Sequence, residues 1–303
     1  MNTANIRAMI GGTLLFMSGL VSVSVAQPLP IPSESSGSQR FSVQVQGSGT
    51  DIILIPGLAS SREVWTDLAA SLRMKHRLHL VELAGFASTP AIPNSEGKVI
   101  AQAADAIAEY IKTQHINAPV IIGHSLGGEI ALMLGSRHPE QVGRLMIVDA
   151  LPFYTLIIDP AATSETATRH ATAMRDWLLE QSPEQRVEFQ KTSIDRLAKT
   201  EAVRPALVAA GVNSDPKTMA DAVYELMVTD LRPELGRIRA PIEVVYAYDP
   251  LFGIPATRVD AMYRQAYSSA SDIHFTRIDD SFHFVMLDQP ERFSGVVASF
   301  LNE

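Results

Sequence analysis

The 303-residue chain contains no cysteine. That removes disulfide staples, thiol nucleophiles and thiolate metal sites together, and it suits an oxidising compartment. Basic charge is also short. Lys and Arg number 25 against 33 Asp and Glu, a formal net charge of −8, and the charge runs are brief and mixed, as on solvated helix faces. A chain of this balance lacks the footprint of nucleic-acid binding. It has no H-E-x-x-H, no paired cysteines and no G-x-x-x-x-G-K-[ST], so neither a metal nor a nucleotide cofactor is implied. Internal repeats and low-complexity arrays are absent too. What is there is 46% hydrophobic residues with 19% charged, ample for the core of one large domain or of a domain with a sizeable insertion.

The N-terminus reads as a segment apart. Arg7 precedes an apolar stretch from Ala8 to Val25, and Ser24 and Ala26 occupy the minus-three and minus-one positions of a cleavage site before Gln27. Residues 1–26 therefore read as a secretory signal, with an uncut membrane anchor as the alternative. Residues 27–40, rich in Pro, Ser and Gly, read as a disordered tether. The mature chain is expected in the periplasm or outside the cell, without stable membrane insertion.

From Phe41 the pattern alternates strand with helix. Phe41 to Gln46 alternates apolar and polar like a half-exposed strand, and Gly47 to Gly49 supply a turn before Asp51, an expected entry hairpin. Asp51 to Ile55 is a short continuous apolar run, the signature of a strand buried on both faces. A helical face over Ser61 to Leu72 follows, then a strand through Leu78, Leu80 and Val81, then a helix over about Lys98 to Gln114. Val120 to Ile122 and Arg144 to Asp149 give two more strands. The alternation stops from Leu151 to about Gly236, where helical patterns dominate and only Tyr154 to Ile158 reads as a strand. It resumes at Pro241, where Ile242, Val244 and Val245 build a strand ending in Tyr248-Asp249-Pro250, followed by a helix near Pro255 to Tyr267 and a last strand at about Ile273 to Ile278. Asp288-Gln289-Pro290-Glu291 has the form of a capping box opening a C-terminal helix. Repeated βα units predict a doubly wound, mostly parallel sheet. The core spans 41–150 and 237–303, with a helical cap at 151–236.

The chain is organised around Pro119 to Pro139. There Gly123-His124-Ser125-Leu126-Gly127 follows an apolar strand and precedes a helical pattern. In G-x-S-x-G the serine occupies a strained strand-to-helix turn that needs minimal neighbours. A serine hydroxyl is a poor nucleophile at neutral pH, so this arrangement calls for an imidazole and a carboxylate that orients it. His283 lies in a polar turn just past the last strand. Asp249 ends the strand before it, at the edge where open α/β sheets bind ligands, and Asp149, ending the strand after Ser125, is the competitor. His124, beside the serine, points to the opposite face and packs under the turn.

On these residues the chain resembles the α/β-hydrolase superfamily, over nearly the whole mature sequence. The resemblance implies a catalytic triad in the order Ser125, Asp249, His283. It also implies an oxyanion hole built from the backbone N–H groups of Leu126 and of Leu58, in a Pro56-Gly57-Leu58 loop similar to the family's His-Gly-x, with Pro56 where histidine is usual. Gly85 and Phe86, with Glu82 and Ala87, resemble the family's Asp-x-x-Gly-x-Gly-x-Ser loop and read as structural. The expected activity is cleavage of a carboxylic ester of a small, largely apolar substrate through an acyl-enzyme. Lactones, amides, C–C bonds beside a carbonyl, and a non-catalytic binder of the same fold are the alternatives. Met174, Trp177 and Met227 in the cap, and Trp65 in the core, are candidates for either pocket wall or packing.

Overall fold

The computed structural model describes residues 34–35, 39–93 and 97–302, so the expected signal and all of the tether except 34–35 and 39–40 lie outside the described residues. Among the described residues, eight strands form one sheet: β1 (Glu34–Ser35), β2 (Phe41–Gly47), β3 (Thr50–Ile55), β4 (His76–Leu83), β5 (Val120–His124), β6 (Arg144–Val148), β7 (Ile242–Tyr248) and β8 (Ile273–Asp279). Their spatial order is β1-β2-β4-β3-β5-β6-β7-β8. From β4 to β8 every neighbour is parallel, while β1 and β2 run antiparallel along one edge. Within the stretch read as a tether, Glu34–Ser35 thus adds a short strand beside Val43 and Gln44.

The turn at Gly47–Gly49 does reverse the chain, but β2 and β3 are not hairpin partners. β4 lies between them. Leu78, Leu80, Val81 and Leu83 of β4 are almost fully buried, so this strand belongs inside the sheet. The half-exposed pattern of β2 suits a position nearer the edge.

Among the described residues, ten helices cover the faces and the sheet's C-terminal edge: α1 (Thr66–Leu72), α2 (Ile100–Thr113), α3 (Leu126–Arg137), α4 (Ser164–Glu180), α5 (Pro183–Leu197), α6 (Arg204–Val212), α7 (Pro216–Val228), α8 (Ala256–Ala266), α9 (Val285–Asp288) and α10 (Pro290–Asn302). Helix α3 is buried from Leu126 to Ser136, which explains its nearly all-round apolar sequence. Trp65, fully buried, stacks on Phe293 of α10 and meets His124 edge-on. It is core, not pocket wall. Each fully buried Leu, Ile or Phe of this kind contributes about 1.5–3 kcal/mol. No helix among the described residues is long and apolar enough to cross a membrane.

Between β6 and β7, helices α4 to α7 pack in pairs, α4 on α7 and α5 on α6. Tyr154–Ile157 is a short 3-10 helix instead of a strand. The starts of α4 and α5 carry reciprocal capping boxes, Thr163 with Thr166 and Ser182 with Gln185. Helix α2 differs. Its N-cap Val99 has no side chain to offer, and the Glu225 carboxylate of α7 accepts from the backbone N–H groups of Val99, Ile100 and Ala101 at 2.7–2.8 Å. A full negative charge thereby meets the positive end of the α2 dipole, and the inserted helices are tied to the core.

A second set of ties joins the end of α5 to the loop after β8. Asp288, read from sequence as the cap of the last helix, ends α9 instead. Its carboxylate accepts from Lys199 N at 3.1 Å, Thr200 N at 2.8 Å and Phe282 N at 2.8 Å. Phe284 N donates to Leu197 O at 3.1 Å. The loop that carries His283 is therefore held from both sides.

Candidate active site

Ser125 sits between β5 and α3 with φ 54° and ψ −120°, a conformation that L-residues rarely adopt and that marks stored strain. The tightness of the turn explains its glycines. A Cβ on Gly123 would collide with the Gly127 carbonyl, and one on Gly127 would collide with the Ile55 carbonyl. The bend is fixed by Ser125 N donating to Val148 O at 2.9 Å and by Gly128 N donating to Ser125 O at 2.8 Å.

His283 arrives from the loop after β8, and its Nδ1 lies 2.7 Å from Asp149 Oδ2. The acid beside the imidazole is thus Asp149, not Asp249. Asp149 takes a left-handed turn at the end of β6 (φ 46°), and its other oxygen accepts from Ala247 N at 2.9 Å and from the Tyr263 hydroxyl at 3.0 Å. The carboxylate is therefore fully bonded and aimed. Burial, and next the Asp149 charge, push the Tyr263 phenol well above its ordinary value, so it stays a donor.

Asp249 is engaged elsewhere. Its Oδ1 accepts from Leu251 N at 2.9 Å, capping the turn that starts at Pro250, and its Oδ2 accepts from Lys199 Nζ at 2.6 Å. Burial alone would raise its carboxyl, but the Lys199 ammonium and the Leu251 N–H hold it below the usual aspartate range. Lys199 also bridges to Asp280. This aspartate latches the end of α5 to the sheet.

His124 is 1% exposed and lies under the turn, where its Nε2 is 3.0 Å from the His283 carbonyl oxygen. A carbonyl only accepts, so Nε2 carries the proton. Burial first, and the neighbouring His283 second, hold this ring well below the ordinary histidine value, so it stays neutral. His124 is a strut beneath His283.

The two residues expected to supply donors lie beside Ser125. Leu126 is the first residue of α3, where backbone N–H groups have no partner inside the helix. The Gly57–Leu58 loop is packed on the turn so closely that a Cβ on Gly57 would lie 3.1 Å from Ser125 Cβ. Ser125, His283, Gly57, Leu58 and Asp149 all line one cavity of about 390 Å³. Ser125 and His283 face it without a direct hydrogen bond to each other, a contact that commonly tightens only around substrate. Met174 and Met227 line this cavity and Trp177 does not, being 40% exposed against Phe189. Gly85 and Ala87 bond instead to the turn between α6 and α7, through Asp215 N and Ser214 Oγ. Glu82 braces Arg62.

A parallel sheet with a strained serine over its C-terminal edge, facing a histidine that a carboxylate orients, defines the class of serine hydrolases built on an α/β sheet. The chain belongs to the alpha/beta hydrolase fold family, whose model matches residues 51–290. A similar curated protein is a pimeloyl-[acyl-carrier protein] methyl ester esterase of Chromobacterium violaceum, 28% identical over 219 residues that cover 71% of this chain and 82% of that one. Among solved structures, an enol-lactonase from Burkholderia xenovorans LB400 has a TM-score of 0.71 at 18% identity, covering 89% of this chain and all of the other. A thermophilic esterase from Thermogutta terrifontis has a TM-score of 0.68 at 20% identity, covering 86% and 94%. At these identities the structural likeness speaks for the fold.

Proposed function

We propose that the chain is an exported serine esterase that cleaves carboxylic esters of small, largely apolar substrates. The observation that carries this reading is the strained Ser125 sharing one mostly apolar cavity with the His283–Asp149 pair. The curated relative named as a methyl ester esterase supports the ester among acyl bonds.

In this reading His283 removes the Ser125 proton as Oγ attacks the ester carbonyl carbon, and Asp149 holds the imidazole in the tautomer that leaves Nε2 free to accept. The Leu58 and Leu126 N–H groups stabilise the oxyanion. One such donor is worth about 2.7–4 kcal/mol in other serine hydrolases. The tetrahedral intermediate collapses, His283 returns the proton to the departing alkoxide, and water repeats the sequence on the acyl-enzyme to release the acid. Each part is supplied by the chain itself.

The test is hydrolysis of p-nitrophenyl esters together with labelling by a fluorophosphonate. Ser125→Ala is expected to abolish both at unchanged folding. Residual turnover above a few per cent, or an unlabelled wild type, overturns the reading in favour of a binding protein. For export, mass spectrometry of protein secreted by a bacterial host is expected to find Gln27 at the N-terminus, and an intact segment 1–26 on membrane-extracted protein overturns that part.

A further inference from the structure

The first turn of α3 places a carboxyl group in the wall of the same cavity. Glu129 is 1% exposed and lines the cavity with Ser125, and neither of its oxygens has a hydrogen-bond partner among the described residues. The Tyr154 backbone N–H is near enough to favour the carboxylate slightly, yet it falls outside hydrogen-bond geometry. Burial first, and the Glu225 carboxylate second, push this carboxyl well above the usual glutamate value. Both causes favour the protonated form, which has one O–H to give and one carbonyl to receive.

Nothing in the ester reaction as derived above uses this group. Packing does not explain it either, because Leu or Met would fill the position without leaving buried polar atoms unbonded. Few buried polar groups in a folded chain go unsatisfied, so one that lines a binding cavity calls for a partner or a role. Glu129 is four residues beyond Ser125 and follows it by one helical turn, with Glu129 N donating to Ser125 O at 3.2 Å. Both side chains line the one cavity, which places the carboxyl beside the path of a substrate chain held at Ser125.

We propose that Glu129 is a second recognition group of the cavity, one that takes an uncharged acceptor oxygen, such as a ketone, carried on the substrate chain a few bonds from the ester. The proposal rests on the esterase reading for its substrate frame. It narrows that substrate from any apolar ester to one with a single interior oxygen. A purely aliphatic chain passes the group by and leaves its O–H unbonded. The Glu225 charge that acts on Glu129 from outside the cavity lining disfavours a fixed carboxylate at this position.

The experiment compares methyl hexanoate with its 3-oxo, 4-oxo and 5-oxo analogues and with methyl 6-ammoniohexanoate, in wild type, Glu129→Gln and Glu129→Met. For wild type, kcat/KM on one oxo ester is expected to exceed that on methyl hexanoate by about tenfold, the order a satisfied buried donor supplies. Glu129→Met should bring that ratio to one or below, and Glu129→Gln, which keeps an N–H donor of similar shape, should retain part of it. Calorimetric titration of Ser125→Ala with the same esters reads the contact without turnover, and Ser125→Ala with Glu129→Met should lose the difference in Kd. An equal ratio in wild type and Glu129→Met overturns the proposal, as does a preference for the ammonium ester, which would mean an ionised Glu129. If no ester is hydrolysed by wild type the esterase reading fails, and the titration still decides whether Glu129 recognises the oxygen.

Discussion

His283 Nδ1 and Asp149 Oδ2 lie 2.7 Å apart although 134 positions separate the two residues in the chain. Asp149 Oδ1 is spoken for by Ala247 N and Tyr263, so the carboxylate has one orientation and one imidazole to serve. Asp149→Asn should lower kcat by about 10³–10⁴-fold by favouring the wrong tautomer. Asp249→Asn should lower it less than tenfold and show mainly as a fall in Tm. Steady-state kinetics and thermal unfolding of the pair check this, and the reverse order of damage would return the role to Asp249.

Asp288 gathers three backbone N–H groups from two segments. Asp288→Ala leaves them without their charged acceptor, at a cost of about 2–4 kcal/mol, and frees the His283 loop to drift. The expected outcome is a lower Tm together with a lower kcat, whereas KM moves little. A variant that loses stability alone would show that the loop is held by Phe284 and Leu197 without it.

Glu225→Ala uncovers the first turn of α2 and should destabilise by about 2 kcal/mol, the combined scale of a lost cap and a lost charge at a helix N-terminus. Hydrogen exchange at Val99, Ile100 and Ala101 is expected to quicken far more than exchange in β5. Uniform quickening throughout the sheet would mean that the contact stabilises the whole fold and not this junction.

The cavity wall contributed by Met174, Leu226 and Met227 predicts a chain-length profile. Each methylene buried there gains about 0.8 kcal/mol, near fourfold in kcat/KM. Efficiency on unsubstituted p-nitrophenyl esters should climb from acetate to medium chains and then fall once the cavity is full. A profile that stays flat from acetate onward contradicts an apolar binding wall.

The raised carboxyl of Glu129 sets a pH dependence of stability. Its folded value lies above the ordinary 4.5, so the stability it contributes is complete below that pH and is lost as pH rises through the folded value. Glu129→Gln should therefore gain on wild type in Tm as pH increases from 4.5 toward neutrality. The depressed His124 acts in the opposite sense, lowering stability as pH falls below the ordinary histidine value of 6.5, and it cancels in the comparison. A constant Tm difference at all pH values would place a normal carboxyl at this position.

The sheet was legible because its strands are short continuous apolar runs set between turn residues, as in Asp51 to Ile55 and Val120 to Ile122. The place of Ser125 in a strand-to-helix turn and of His283 in the loop after the last strand was legible through local spacing. Which aspartate lies beside the imidazole was not, because two aspartates end neighbouring strands and only three-dimensional placement separates them. A local signal did exist. Asp249 precedes Pro250, and aspartate followed by proline is the start of a capped turn, so that its carboxylate was already committed. Asp288 misled for a related reason: its spacing to Glu291 copied a capping box while its true partners lay upstream, Phe282 in the same loop and Lys199 and Thr200 in another segment. The same non-locality hid the role of Glu225, since nothing near Val99 announces that a distant helix will close α2.

Helix α7 turns Met219, Val223 and Leu226 toward the cavity while Glu225, among them, closes α2. One inserted or deleted residue upstream in that helix would rotate these side chains by about 100°, pulling the carboxylate away from its three amides. Descendants of this sequence can therefore acquire new tastes by exchanging side chains along α7, but variation in its length is closed to them unless a carboxylate reappears in register. The lineage's record of specificity should be written in substitutions, and its gaps should fall elsewhere.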